Sequence, residues 1–165
     1  MKKKQKRKLQ LRQKTINESL TFQTKFGAKQ KLENLSAKTE ARLTEEILIF
    51  QNMGIAEDLL TLKNIIDDLK IELGLLAEPS EGILAGSYTA YSLGLEPTNP
   101  IETGNNLNPL NLNLPLDITI SFDNEIRNQA VDWMKAQGYE VTTYLGQPLL
   151  KLKQTRVLIR RVVKS

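Results

Sequence analysis

Apolar residues recur at three- to four-residue spacing through Leu43, Ile47, Phe50 and Met53, the interval that lines one face of a helix. Ser36 precedes this run as an N-cap and Gly54 follows it as a stop. A second helix is predicted from about Ala56 to Leu73, with Leu59, Leu62, Ile66, Leu69 and Leu73 inward and Gly74 closing it. Asp67, Asp68, Lys70 and Glu72 form its solvated side. Pro79 and Ser80 read as a turn. The segment Gly82 to Gly94 follows, where Ala85, Gly86, Ser87 and Ala90 permit close helix packing. Residues 96–115, dense in Pro, Asn and Gly, read as a long loop. At Leu116 the period changes to two. Leu116, Ile118, Ile120 and Phe122 alternate with Asp117, Thr119 and Ser121, as in a half-buried strand. Asp123 is predicted to cap a helix running to Gln137, with Ile126, Ala130, Val131 and Met134 inward. Tyr139–Leu145, Leu149–Lys153 and Val157–Val163 read as three further β segments. The pattern predicts an α+β fold, a helical N-terminal half followed by a small antiparallel or mixed sheet, in a single domain over 36–165.

Residues 1–35 stand apart. Large apolar side chains are sparse there, and such a run does not bury enough surface to offset its ordering entropy alone. It is expected to be a basic arm, disordered or helical when bound. Charge sharpens this division. The chain of 165 residues has 23 Lys and Arg against 19 Asp and Glu, a net +4. Residues 1–31 hold eleven basic residues against Glu18 alone; residues 32–150 hold six basic and eighteen acidic; residues 151–165 hold six basic and no acidic. An acidic body thus lies between two basic ends.

Composition narrows the chemistry. There is no Cys and no His, which removes thiol nucleophiles, Cys-based zinc sites and the commonest general base. Carboxylates, hydroxyls and amines remain. The basic start never becomes the apolar core of a signal peptide, and no apolar run approaches the roughly 20 residues of a membrane span. A cytoplasmic protein is expected.

Three stretches, in order, resemble the palm of the bacterial replicative DNA polymerase III alpha subunit, over roughly residues 40–145. Glu46 to Ile55, containing Met53-Gly54, looks like a family helix that ends ahead of the long helix leading to the active site. Leu84-Ala85-Gly86-Ser87-Tyr88-Thr89-Ala90-Tyr91-Ser92-Leu93-Gly94-Leu95 is similar to the family's Ala-Gly-Ser-x-x-Ala-Tyr-x-Leu-Gly-Ile run. Leu107-Asn108-Pro109 and Leu114 to Phe122 resemble the Leu-Asn-Pro segment and the strand bearing the catalytic aspartates. The resemblance implies a nucleotidyltransferase-like palm, but this sequence departs from it at the chemistry. Where the family has a phosphate-binding Gly-Arg-Gly-Ser turn, Ser80-Glu81-Gly82-Ile83 stands, with Glu81 in place of the arginine. Where the family has three alternating aspartates for two metal ions, Asp117, Thr119 and Ser121 stand. A weaker likeness, from Phe22 through Lys31 to Lys38, is to the basic arm of a bacterial small-subunit ribosomal protein.

The expectation is therefore a degenerate, catalytically inactive palm-like protein, with Asp117 a remnant, no catalytic residue, no metal and no cofactor. It would act as a nucleic-acid-binding accessory or scaffold. Lys/Arg arms bind polyanions through counterion release. The candidates are Lys2, Lys3, Lys4, Lys6, Arg7, Lys8, Arg12, Lys14, Lys151, Lys153, Arg156, Arg160 and Arg161, with Lys151 and Lys153 sharing a strand face. DNA or RNA would be bound without sequence specificity, and the acidic body would meet a protein partner. The alternative is a structural subunit of a larger protein or ribonucleoprotein complex, with the arm on RNA. Trp133 and Tyr139 are expected to pack rather than to stack on bases.

Overall fold

The computed structural model describes residues 2–31, 35–80 and 82–163; Glu81, and with it the expected arginine replacement, lies outside them. The helical half begins with α1 (Lys3–Lys31), a rod about 44 Å long at 1.5 Å per residue. Two predicted helices follow, α2 (Ala37–Met53) and α3 (Ala56–Leu73). Ser36 accepts the Thr39 amide as N-cap of α2, and Gly54 and Gly74 close the two helices in the left-handed conformation.

The small-residue segment holds only one short helix, α4 (Tyr88–Ser92). The long loop contains a four-residue turn, α5 (Pro100–Thr103), and a 3-10 turn at Pro109–Asn111. Asn99 and Asn108 cap these turns with their side chains.

Five strands form one mixed sheet: β1 (Glu78–Pro79), β2 (Leu116–Asp123), β3 (Glu140–Tyr144), β4 (Gln147–Lys151) and β5 (Thr155–Val162), in the order β1-β2-β5-β4-β3. Strands β2 and β5 are parallel and the other pairs antiparallel. The fold is α+β. The final helix α6 (Arg127–Ala136) follows β2 after a turn, so Asp123 ends the strand instead of capping the helix. Its carbonyl accepts the Ile126 amide, and Ile126 takes the N-cap position without a side-chain bond.

The core lies between the helices and one face of the sheet. Leu116, Ile118, Ile120 and Phe122 join Val157, Ile159 and Leu150 there, against Leu59, Leu62, Ile65 and Met134. Leu20 of α1 is in the same cluster with no exposure. Burying such a side chain contributes roughly 1.5–3 kcal/mol, so α1 is anchored through its second half while Leu9 and Leu11 of its first half stay exposed. The anchoring requires Gly27. A Cβ there would lie 2.0 Å from the carbonyl oxygen of Ser92, so the two backbones approach where α1 crosses the end of α4. Lys31 donates to the Tyr91 carbonyl and lies 4.2 Å from the centre of that ring. Among the described residues no helix is long and apolar enough to cross a membrane.

Candidate nucleic-acid interface

Strand alternation that buries Leu116 to Phe122 turns Asp117, Thr119 and Ser121 to the other face of the sheet. Their parallel neighbours on β5 are Arg156, Leu158 and Arg160. Arg156 donates Nε and Nη2 to the two carboxylate oxygens of Asp117, at 2.8 and 3.0 Å. This two-pronged bond raises the guanidinium pKa above its ordinary value. A shallow cavity of about 140 Å³ lies beside the pair, lined by Thr119, Tyr144, Leu149 and Leu158. Among the described residues no three His, Asp or Glu side chains converge as a metal-binding group.

The Ala85-Gly86-Ser87 step is held by an ion pair whose carboxylate is buried and whose guanidinium is partly exposed. Arg42 and Glu46, one turn apart on α2, meet at 3.2 Å, and the Glu46 side chain is only 5% exposed. Glu46 accepts from Ser87 Oγ at 2.7 Å and from the amides of Tyr88 and Thr89 at 3.1 and 2.9 Å. Arg42 donates to the carbonyls of Gly86 and Asn105 and lies 4.7 Å from the Tyr88 ring centre. The open amides at the start of α4, which would favour an anion, are thus taken by the protein's own carboxylate. Gly86 has φ +87°, and a Cβ on it would meet the Asn106 carbonyl carbon at 2.6 Å, so loop and α4 touch backbone to backbone.

Most of the basic residues fall into three groups, with Arg161 and Lys14 apart from them. Lys3, Lys4, Lys6, Arg7 and Lys8 are exposed on the first turns of α1, and Lys2, also exposed, immediately precedes it. Arg12 and Lys153, from opposite ends of the chain, converge on Glu57 at the start of α3, each at 2.7 Å. Asp58 beside it accepts the backbone amides of Lys153 and Gln154 at 3.1 and 2.6 Å. Lys153 therefore belongs to a turn beyond β4 and does not share a strand face with Lys151. Lys151 instead shares its face with Arg156, its partner in register, and with Arg160. Arg161 donates to Asn128 at 3.2 Å. Lys14 is 3.9 Å from Glu18, both well exposed, a spacing that contributes little.

Arg127, which no motif singles out, is buried and donates to Gln147 and to the Ile159 carbonyl. Burial, and then Arg161 nearby, lower its pKa. Glu46 and Asp58 carry no motif role; their signal is a carboxylate set among the buried apolar positions of its helix. Trp133 donates to Glu72 at 2.8 Å and its ring lies 6.5 Å from Tyr139, a packing role.

The shared carboxylate has a titration consequence. Hydrogen bonding from Lys153, with the charges of Lys153 and Arg12, outweighs burial and lowers the Glu57 pKa below 4.5. A carboxylate depressed in the folded state adds stability above its unfolded pKa and loses it as pH falls through the folded one. Wild type should therefore exceed Glu57→Gln in stability at neutral pH, and the gap should close on acidification below about 4.5. Urea denaturation of both at several pH values measures it; a gap independent of pH would count against the pairing.

No family model matches the chain. In sequence it is similar to one class of protein, the bacterial polymerase subunits named DNA polymerase III subunit alpha. The protein of that name from Rickettsia conorii is 36% identical over 122 residues, 69% of this chain and 10% of its own length. That of Rickettsia felis is 33% identical over the same span, and that of Aquifex aeolicus 28% identical over 155 residues, 86% of this chain and 13% of its own. The chain thus spans about a tenth of the length of these curated relatives.

Proposed function

We propose that this chain is a non-catalytic, polymerase-palm-like protein that binds nucleic acid without sequence specificity, as an accessory or scaffold. The observation that carries the reading is the polar face of β2. Two-metal phosphoryl transfer requires paired carboxylates close together. Here Asp117 is engaged by Arg156, and the next two positions on that face hold Thr119 and Ser121. The likeness to a polymerase alpha segment makes that strand the one to compare. Glu46 on the amides of Tyr88 and Thr89 supports the same reading, because a phosphate approaching them would meet a fixed negative charge. The binding half rests on the exposed cations of α1 and on Lys151 and Arg160 of the sheet.

Filter binding of DNA and RNA across a salt series tests it. Affinity should fall linearly on a log–log plot, each phosphate contact contributing about −0.9 to the slope on duplex DNA. Absent or salt-insensitive binding to both would remove the binding half. Magnesium-dependent nucleotide incorporation by the wild type, lost in Asp117→Ala, would overturn the non-catalytic half.

A further inference from the structure

Helix α1 is docked through Leu20, Thr24 and Ala28, all without exposure. At about 100° per residue the opposite side carries Lys4, Lys8, Leu11, Phe22, Phe26 and Lys29 within an arc of about 60°. Two aromatic side chains on this outer stripe face solvent: Phe22 is 65% and Phe26 54% exposed. Their rings lie 6.2 Å apart and 18° from parallel. Exposing two large rings side by side forfeits burial with no gain to the fold.

Beside Phe22 runs an open groove of about 720 Å³, walled by Lys14, Lys25, Gln13, Asn17 and by Gln51 of α2. With Gln10 it offers two ammonium groups and four amide side chains along one flank of the aromatic pair, against the single carboxylate of Glu18. Cations that track a backbone next to flat rings on which bases can lie are the requirements of single-stranded nucleic-acid binding. Duplex nucleic acid uses only half of this arrangement, since its bases are already stacked on one another. A second copy of the chain fits worse. Two such stripes laid together would set Lys4, Lys8 and Lys29 against their counterparts, with only Leu11, Phe22 and Phe26 to offset that repulsion.

We propose that the outer stripe of α1 is a track for single-stranded nucleic acid, with bases stacked on Phe22 and Phe26 and phosphates held by Lys14, Lys25 and Lys29. The proposal rests on the nucleic-acid reading above and names the form of the ligand. The track engages any base, because every base has a flat face, and its preference is for unpaired strands.

Fluorescence anisotropy with the full chain distinguishes the two levels, using a labelled oligothymidylate of about 16 nucleotides and a duplex of equal length. Phe22→Leu/Phe26→Leu keeps the helix and its apolar character while removing the rings. It should weaken oligothymidylate binding about tenfold or more and leave duplex binding within about twofold. Lys25→Gln/Lys29→Gln should weaken both and flatten both salt slopes. Unchanged oligothymidylate binding by the double Phe variant would overturn the track while leaving salt-dependent binding intact. If the wild type bound neither probe at low salt, the track and the broader reading would fall together. A wild-type dimer in sedimentation that Phe22→Leu/Phe26→Leu dissolves would overturn the track in favour of self-association.

Discussion

Gly27→Ala should loosen the whole of α1 and lower stability by about 1–3 kcal/mol, although alanine is the better helix former. By propensity alone the change would stabilise an exposed helix by about 1 kcal/mol. The added methyl, however, would lie 2.0 Å from the Ser92 carbonyl oxygen and 2.9 Å from its carbon. These are backbone atoms at the end of α4 and cannot swing aside as a side chain would. Either α1 lifts, exposing Leu20 and Ala28, or α4 is displaced together with the Arg42–Glu46 network. Thermal denaturation gives the stability, and limited proteolysis after the lysines of residues 3–31 shows whether α1 has come away. A stabilised variant with an equally resistant helix would mean that α1 does not cross α4 at this distance.

The second large effect is expected at Glu46. Alanine there leaves Ser87 Oγ and the amides of Tyr88 and Thr89 without their acceptor, and leaves Arg42 without its carboxylate. Breaking a fully buried ion pair from one side costs about 3–5 kcal/mol. With Arg42 partly exposed, the loss should lie at or below the lower end of that range, still a large share of the roughly 5–15 kcal/mol that holds a domain folded. Arg42→Ala should cost less, because Glu46 would keep its three donors from the Ser87–Thr89 step. Glu46→Gln should fall between the two, retaining the shape and one acceptor oxygen. Urea midpoints of the three variants give the order. A Glu46→Ala stability within about 1 kcal/mol of wild type, from midpoint and slope, would show that the carboxylate is not the clamp described.

The parts of this fold that were legible in the sequence are those whose determinants are local. Ser36, Gly54 and Gly74 bound α2 and α3 because a cap or a left-handed glycine acts within one turn of the chain. Leu116 to Phe122 announces β2 because alternation alone sorts its two faces. What escaped depends on distant partners. Pro79 and Ser80 read as a turn, yet Pro79 belongs with Glu78 to the edge strand β1, defined by pairing with Ser121 and Ile120. Gly146-Gln147-Pro148 read as a break, but the hairpin turn is Leu145-Gly146, both at positive φ. Pro148 is tolerated because the β4–β5 ladder begins only at Leu149, so its missing amide leaves no bond unmade there.

The candidate site was legible as composition and illegible as geometry. The sequence separates the basic ends by the whole acidic body, whereas Arg12 and Lys153 meet on Glu57. Asp117 was read as a remnant, but its bond to Arg156 depends on a parallel pairing that connects strands on either side of α6. In the sequence Phe22 and Phe26 are two of the few apolar residues of a basic arm and part of its likeness to a ribosomal protein. Their significance required knowing which side of α1 is docked.

The bond from Asp58 to the Gln154 amide joins residues 96 apart in sequence, and this bears on the order in which the protein folds. Helices α2 and α3 are closed by local caps and can form early. The turn between β4 and β5, closed locally by the Leu152 amide on the Thr155 carbonyl, gains its Asp58 bonds only once α3 is in place. Strand β2, made before β5, must wait for β5 to arrive as its parallel neighbour. Contacts of such long sequence separation slow folding, since chain entropy is lost before they return energy. The β2–β5 pairing is therefore the part of the sheet expected to form late, while the β3–β4 hairpin is local.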